Sequence, residues 1–301
     1  MKRKRSIRHQ ALAIKSAGWV EVLMSISFLY LSFNVAGQDT ISFTYKSYNL
    51  ENVADNVIQN TAHLDTFYES LYQQRTGGNR KINIIHIGDS HIQADYLTRI
   101  VRRNFQEKFG NAGRGLIVPA RVAGTNEPPN FLSSSTVIWK AKRCIYPDHP
   151  MPIGIGGITI NTDQPNAKLS LYMNDLWMDY SFNAVTLFFQ KDITSFNFSV
   201  KDTANVELGF IGPFTSEPFV NYSKIVLPYS VGGLVLETLK STPEQVQATL
   251  FGLNLENGKS GVLYHAIGVN GAKYAHYNAA MFFSKQTAAL QPDLFILSLG
   301  T

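Results

Sequence analysis

Ser90 occupies a position from which a hydroxyl group can do chemistry. It lies in Gly88-Asp89-Ser90-His91, directly after Ile82-Asn83-Ile84-Ile85-His86-Ile87, a β-branched run typical of a strand buried in a parallel sheet. A helix is predicted over residues 94–109, so Ser90 is expected at the carboxyl edge of the sheet, beside helix N–H groups suited to a developing oxyanion. Ser90 is therefore a candidate nucleophile. The alternative, equally supported by this motif alone, is that Asp89 or Ser90 only caps the helix.

Two later segments repeat the strand-and-turn layout. Residues 262–267 predict a strand, which is followed by a turn, Gly268-Val269-Asn270-Gly271, and a helix over residues 274–290. After Pro292-Asp293, residues 294–299 predict a third buried strand that leads to Gly300-Thr301. A glycine such as Gly271 is also explained by a turn that needs positive φ, so the turn alone does not assign it a function.

Taken in order, these segments resemble the conserved blocks of SGNH/GDSL hydrolases. Gly88-Asp89-Ser90 resembles the first block, Gly268-Val269-Asn270-Gly271-Ala272 the second, and residues 292–301 the strand that enters the third, Gly-x-Asn. The resemblance implies Ser90 as nucleophile, with its own N–H and that of Gly271 in the oxyanion hole and Asp89 in support. Gly268, Asn270 and His91 are weaker candidates. The resemblance implies neither a cofactor nor a metal.

The family's remaining catalytic elements are not found in residues 1–301. The third-block Asn would follow Thr301, and the Asp-x-x-His would come later, so we expect a C-terminally truncated sequence that is inactive alone, because a serine needs a base within hydrogen-bond reach. Asn126 lies in a stretch similar to a third block but in the wrong order, and we predict a turn there. None of the histidines lies in an Asp-x-x-His, and we predict structural roles for them: His9, His63, His86, His91, His149, His265 and His276.

Residues 126–260 have a different texture, with many short β-rich runs separated by turns, which predicts an antiparallel β-sandwich. The expected fold class is α/β, an incomplete flavodoxin-like parallel-sheet SGNH domain (residues 38–125 and 261–301) interrupted by this sandwich, whose ends near residues 125 and 261 should be adjacent. Such an insert resembles the arrangement in bacterial peptidoglycan O-acetylesterases, where the inserted module resembles a carbohydrate-binding domain. Its aromatic residues are candidates for sugar stacking or, more simply, for the core: Trp139, Tyr146, Tyr172, Trp177, Tyr180 and Tyr222. Turn acids are weak candidates for calcium: Asp148, Asp163 and Asp175.

The positive charge lies in the first 37 residues. Six of the 27 basic and one of the 22 acidic residues lie there, so this segment carries +5 and residues 38–301 carry no net charge. A nucleic-acid partner is therefore not expected. The basic start, the apolar run over residues 22–35 and the small residues before Gln38 predict a signal peptide over residues 1–37, hence export to the periplasm or outside the cell, with no stable membrane span after cleavage.

The predicted function is that of a secreted SGNH-type serine esterase. It would hydrolyse acetyl or other O-acyl esters on peptidoglycan or another envelope polysaccharide, so an acylated glycan is the expected partner. Two alternatives stay open. One is an inactive glycan-binding or scaffold protein that keeps the fold, and the other is a lipase-like carboxylesterase.

Overall fold

The computed structural model describes residues 58–148, 151–215 and 221–299. The elements below all lie in one unit of the chain, Asn60–Thr301. The predicted signal peptide, His9 and His149 lie outside the described residues. In those three ranges, no helix is long and apolar enough to cross a bilayer.

Three strands of the described chain form a parallel sheet, as their sequences predict. They are β1 (Lys81–Gly88), β13 (Gly261–Gly268) and β14 (Leu294–Ser298), in the order β13-β1-β14. The third is not the buried strand that residues 294–299 predict, because it lies at the edge of the sheet in the described residues and leaves Phe295 and Leu297 exposed. Gly88 pairs with both Gly268 and Ser298, so the three strands end at the same level. This register places the segments that follow β1 and β13 at one edge of the sheet.

Helices cover both faces of this sheet. A 3₁₀ turn (Thr61–Leu64) leads into α1 (Asp65–Arg75). The helix expected over 94–109 begins at Tyr96, because Asp95 has φ of 58° and separates a short helix from it. The helix expected over 274–290 is likewise two short helices. The remaining bounds are α2 (Ser90–Gln93), α3 (Tyr96–Phe109), α4 (Tyr274–Asn278) and α5 (Phe283–Ala288).

The expected α/β class is wrong, because antiparallel strands dominate. The parallel sheet has three strands, whereas the other strands form antiparallel sheets of six and five. Short β-rich runs joined by turns pair antiparallel, and they supply eleven of the fourteen strands in the described residues. The six-stranded sheet contains β2 (Gly115–Ile117), β4 (Lys140–Arg143), β5 (Ile158–Thr162), β7 (Phe182–Phe189), β10 (Tyr222–Val231) and β12 (Ala248–Glu256). The five-stranded sheet contains β3 (Phe131–Ser135), β6 (Lys168–Met173), β8 (Asn197–Lys201), β9 (Glu207–Ile211) and β11 (Gly233–Leu239).

Three apolar cores join these layers. The two antiparallel sheets enclose the first, in which Phe189 and Leu253 pack with Phe198 and Leu236. The outer face of the six-stranded sheet meets one face of the parallel sheet in the second core, through residues such as Phe251. Helices α1 and α3 close the other face of the parallel sheet in the third core. The central strands β7 and β12 of the six-stranded sheet are therefore buried on both faces.

The two ends of the predicted insert are not adjacent. Asn111, which follows α3, bridges to Val262 at the start of β13. Thr125 instead accepts a hydrogen bond from Gln93, whose side chain also binds Asn270 just beyond the end of β13. The chain between residues 111 and 125 thus runs alongside β13 from one end to the other, and residues near 125 and 261 lie at opposite ends of that strand.

Candidate functional site

Asp89, not Ser90, caps the helix that follows β1. Its carboxylate accepts a hydrogen bond of 3.0 Å from the His91 N–H, and Ser90 is the first residue of α2. The turn is tight, because a Cβ on Gly88 would lie 2.2 Å from the Ile92 side chain. Ser90 is exposed. In the described part of the chain the Ser90 hydroxyl has no hydrogen-bond partner, so this hydroxyl does not cap the helix.

The structure brings four of the six predicted site residues to one cavity. Its volume is about 560 Å³, and it lies at the carboxyl edge of the parallel sheet. Among the weaker candidates, Gly268 and Asn270 are absent from its lining, whereas His91 is present. The lining residues are Asp89, Ser90, His91, Gly271, Ala272, Lys273, Tyr274 and Leu299.

The backbone N–H groups of Ser90 and Gly271, two residues that line this cavity, have no acceptor within residues 58–148, 151–215 and 221–299. In the turn after β13, the Val269 N–H donates to the Gly88 carbonyl, the Asn270 N–H to Gln93, and the Ala272 N–H to the Val269 carbonyl. Gly271 has φ of 78°, which glycine adopts without strain, and a Cβ there would meet nothing within 4 Å. Free, preoriented N–H groups are what an oxyanion site needs.

Gly268 and Asn270 hold the turn in place. A Cβ on Gly268 would lie 2.1 Å from the Gln93 backbone nitrogen, so only glycine allows this approach between β13 and α2. The Asn270 N–H donates to the Gln93 side chain at 2.7 Å. Tyr277 adds a third link, because its hydroxyl donates to the Gly88 carbonyl at 2.7 Å. These contacts fix the second turn against the first.

Two histidines of the parallel sheet, His86 and His265, have their ring nitrogens hydrogen-bonded to other parts of the protein. His86 has both ring nitrogens engaged, one by the Tyr264 hydroxyl and one by the Ser298 hydroxyl, each at 2.7 Å, and burial lowers its pKa. His265 is fully buried; its Nδ1 accepts from the Leu116 N–H at 3.0 Å. Burial lowers the pKa of His265 to about 3. Neither imidazole hydrogen-bonds Ser90.

The other described histidines are exposed or serve as caps. His276 Nδ1 accepts from the Lys273 N–H at 3.0 Å, at the start of α4. His63 lies exposed in the 3₁₀ turn before α1. His91 alone shares the cavity of Ser90; its side chain is 74% exposed and its Nδ1 lies 3.1 Å from the Asp89 carboxylate. No described histidine side chain is hydrogen-bonded to the Ser90 hydroxyl.

Gln93 is a site residue that pattern analysis missed. Its side chain is buried and binds the turn that carries Gly271, together with the segment at Thr125 and Asn126. The sequence contains no local signal for this, because the partners lie 32, 33 and 177 residues away. Asn126 itself is exposed and contributes its backbone carbonyl.

The insert's aromatic residues divide between core and surface. Trp139 and Tyr180 are buried, which fits the core interpretation. Tyr172 and Trp177 are exposed, but the guanidinium groups of Arg99 and Arg103 lie 4.3 and 5.0 Å from the Trp177 ring centroid. Trp177 thus forms cation–π contacts between α3 and the predicted insert.

The turn acids have neighbours within the protein. Asp148 and Asp163 pair with Lys142 and Lys140, respectively, and Asp175 accepts from the Trp177 N–H. Across the described ranges, no group of three or more His, Cys, Asp or Glu side chains is arranged to hold a metal ion.

Comparison with known proteins gives a likeness in fold. No protein-family profile matches this chain, and no curated protein sequence matches it. This chain is similar at a low score to the structure of the family 32 CBM from C. perfringens NanJ in complex with galactose (TM-score 0.28, 12% identity, 47% of this chain and 97% of that one). A similar value relates it to CpGH89CBM32-5 from Clostridium perfringens, in complex with GalNAc-β-1,3-galactose (TM-score 0.28, 11% identity, 42% of this chain and 95% of that one).

A higher score relates this chain to another solved structure. It is a peptidoglycan O-acetylesterase, with a TM-score of 0.60 and 21% identity over 79% of this chain and 61% of that one. This chain therefore covers less than two thirds of that protein. The fold of this chain is similar to the fold of a peptidoglycan O-acetylesterase.

Proposed function

We propose that this chain carries the nucleophile and two oxyanion donors of an exported serine esterase of the SGNH/GDSL type. Its substrate would be an acetyl or other O-acyl ester on peptidoglycan or another envelope polysaccharide. One observation carries the proposal: Ser90 and Gly271 line the same cavity, and both present N–H groups without an acceptor in the described residues. The fold similarity to a peptidoglycan O-acetylesterase supports the same chemistry.

The proposed reaction is acyl transfer through Ser90. Its Oγ attacks the ester carbonyl, and the negative charge that develops on the carbonyl oxygen is held by the N–H groups of Ser90 and Gly271. The alcohol of the glycan leaves, and water then hydrolyses the acyl-enzyme. The SGNH/GDSL type implies a histidine of an Asp-x-x-His motif, which accepts the hydroxyl proton and returns it to the leaving alcohol, and an Asn as a third oxyanion donor. No histidine in the described residues is hydrogen-bonded to the Ser90 hydroxyl, so we propose neither role for a described residue.

Replacement of Ser90 tests the proposal in the full-length protein. Ser90→Ala should lower kcat/KM for p-nitrophenyl acetate, and for acetyl release from O-acetylated peptidoglycan, by at least about 10³-fold, because the attacking oxygen is lost. The melting temperature should stay at the wild-type value, because Asp89 provides the cap. An unchanged rate in Ser90→Ala would refute the proposal.

Two variants distinguish the competing assignments. Ser298→Ala is the matched control, because Ser298 is a serine already hydrogen-bonded to a histidine; it should retain activity. His91→Ala should also retain most activity, whereas a loss equal to that of Ser90→Ala would make His91 the base. A wild-type protein that binds glycan without hydrolysis would favour the scaffold alternative, and a preference for decanoyl over acetyl esters would favour the lipase-like one.

A further inference from the structure

The buried side chain of Gln93 connects three segments of the chain, namely its own helix α2, the turn after β13 and residues 125–126. Its Oε1 accepts from the Asn270 N–H at 2.7 Å, and its Nε2 donates to the Thr125 hydroxyl at 3.1 Å and to the Asn126 carbonyl at 2.8 Å. The residue is 5% exposed. A buried amide is tolerated when its donors and acceptor are satisfied, and here both the oxygen and the nitrogen of the Gln93 amide have protein partners.

The contact with Asn270 determines which N–H of the turn stays free. Among the four residues from Val269 to Ala272, three donate hydrogen bonds within the described chain, and Gly271 alone does not. Asn270 precedes Gly271 directly, so holding the Asn270 N–H limits rotation of the next peptide group. The close approach of Gly268 to the Gln93 backbone fixes the other end of the turn.

Gln93 also shares a helix with Ser90. Both lie in α2, and the Gln93 N–H donates to the Asp89 carbonyl at 3.0 Å. The Gln93 side chain therefore links the element that carries one free N–H to the turn that carries the other. Two donors that act on one oxygen must keep their separation, because oxyanion stabilisation requires each donor about 3 Å from the charge.

We propose that Gln93 is a positioning residue, which holds the Gly271 N–H at its working distance from Ser90 through the Asn270 backbone. This inference rests on the proposed function. Gln93 lies outside the cavity lining and acts through Asn270, so it contributes to the rate of the chemical step and not to substrate contacts. The hydrogen bonds to Thr125 and Asn126 keep its amide oriented towards the turn.

The first test replaces Gln93 in the full-length protein and compares it with Gln106, a second buried glutamine. Gln93→Met removes all three side-chain hydrogen bonds and should lower kcat roughly 10-fold or more, with KM changed by less than about 3-fold, because donor placement affects the transition state. Gln93→Glu keeps an oxygen that can accept from the Asn270 N–H but loses the hydrogen bonds to Thr125 and Asn126. Its kcat should therefore lie between that of the wild-type protein and that of Gln93→Met.

Gln106→Met is the matched control. Gln106 is also buried, donates to the carbonyls of Gly113 and Val262, and accepts from Tyr180, at the opposite end of β13. It should lower the melting temperature as Gln93→Met does and leave kcat unchanged. If Gln93→Met lowers stability but keeps the wild-type kcat, Gln93 is only structural and the inference fails.

Amide hydrogen exchange separates this inference from the proposed function. The Asn270 amide should exchange slowly in the wild-type protein and faster in Gln93→Met, with no change in Gln106→Met. Unchanged Asn270 exchange in Gln93→Met would refute the inference whatever the activity. Retained activity in Ser90→Ala would refute the proposed function and leave the exchange result unaltered.

Discussion

His86 and His265 lie on neighbouring strands of the parallel sheet and on opposite faces of it. His265 pairs with Ile85 in the register, one position away from the pair formed by His86 and Ala266. His86 bonds two hydroxyl groups, whereas His265 joins β13 to Leu116 of β2 and to Asn83 of β1. Burial favours the neutral imidazole at both positions, and each ring serves as a cross-link between elements.

The buried His265 should make the protein less stable in acid. Burial lowers its folded-state pKa to about 3; the positive charges of Arg102 and Arg114 act in the same direction, whereas Glu256 opposes it. Because this pKa lies below the unfolded value of about 6.5, the unfolded chain binds the proton first. The linked stability is fully present above about pH 7 and is lost as pH falls from about 6.5 towards 3, roughly 2 to 3 kcal/mol by pH 4.5.

Urea unfolding at pH 7.5 and pH 4.5 measures this effect. The difference in free energy of unfolding between the two pH values should be smaller in His265→Gln than in the wild-type protein, by roughly 2 to 3 kcal/mol. The exposed His63→Gln variant should keep the wild-type difference. Equal differences in His265→Gln and the wild-type protein would contradict the assignment of acid sensitivity to His265.

At the scale of elements, a buried ionic cluster organises the junction between α2 and α3. Asp95 occupies the left-handed conformation that ends α2, and its carboxylate accepts from Arg102 at 2.7 and 3.0 Å and from Arg114 at 3.1 Å. Burial alone would raise the pKa of Asp95, but the two guanidinium groups hold it below its usual value. Burial, and then Arg102, lower the pKa of Arg114 to about 10.

Asp95→Asn should be strongly destabilising, because it leaves two buried guanidinium groups without a counter-charge. The free energy of unfolding should fall by about 3–5 kcal/mol, as for other broken buried pairs. Asparagine also adopts the left-handed conformation, so the substitution isolates the charge. Asp163→Asn, at the exposed pair with Lys140, should leave the melting temperature unchanged. Similar unfolding curves for Asp95→Asn and the wild-type protein would contradict this account.

At the scale of the whole molecule, the sandwich and the parallel sheet share their cores. Strand β12 contributes Leu253 to the core between the antiparallel sheets and Phe251 to the core beneath the parallel sheet. Strand β7 does the same with Leu187 and Phe188. Strands β7 and β12 each contribute side chains to both cores. Unfolding of the sandwich would therefore expose apolar surface of the parallel-sheet region. Domain bounds at residues 126 and 260 remain a prediction.

This shared packing predicts one cooperative unfolding transition. The described helices all pack with the parallel-sheet region, so their circular dichroism at 222 nm reports on that region. In a protein in which Trp19 and Trp177 are replaced by phenylalanine, the fluorescence of the buried Trp139 reports on the sandwich. The two curves should coincide. Phe251→Ala should shift both together by about 3–5 kcal/mol. Phe210→Ala, at a phenylalanine that is 47% exposed, should shift neither curve. Two separate transitions would show that the regions unfold independently.

Local pattern was sufficient to identify the parallel strands and their neighbours. Residues 82–87, 262–267 and 294–299 are short apolar runs bounded by turn residues, and their length and flanking residues favour strands over helices. The first two strands are buried as predicted, whereas Phe295 and Leu297 of the third are exposed. The short β-rich runs after residue 125 likewise predicted antiparallel sheets. Ser90 and Gly271 were singled out by motif, and the structure brings both to one cavity; their catalytic roles stay predictions.

Tertiary structure alone decided the fold class, the positions of residues 125 and 261 at opposite ends of β13, and the contacts around the site. The class depends on how many strands pair in each manner, which no single run reveals. The engagement of His86 and His265, the free N–H of Gly271 and the role of Gln93 all depend on partners far away in sequence, such as Asn270 for Gln93. Periodicity reports which side of an element is buried, because burial follows the element's own geometry. It does not report what that side meets, because those contacts form only when distant segments pack together.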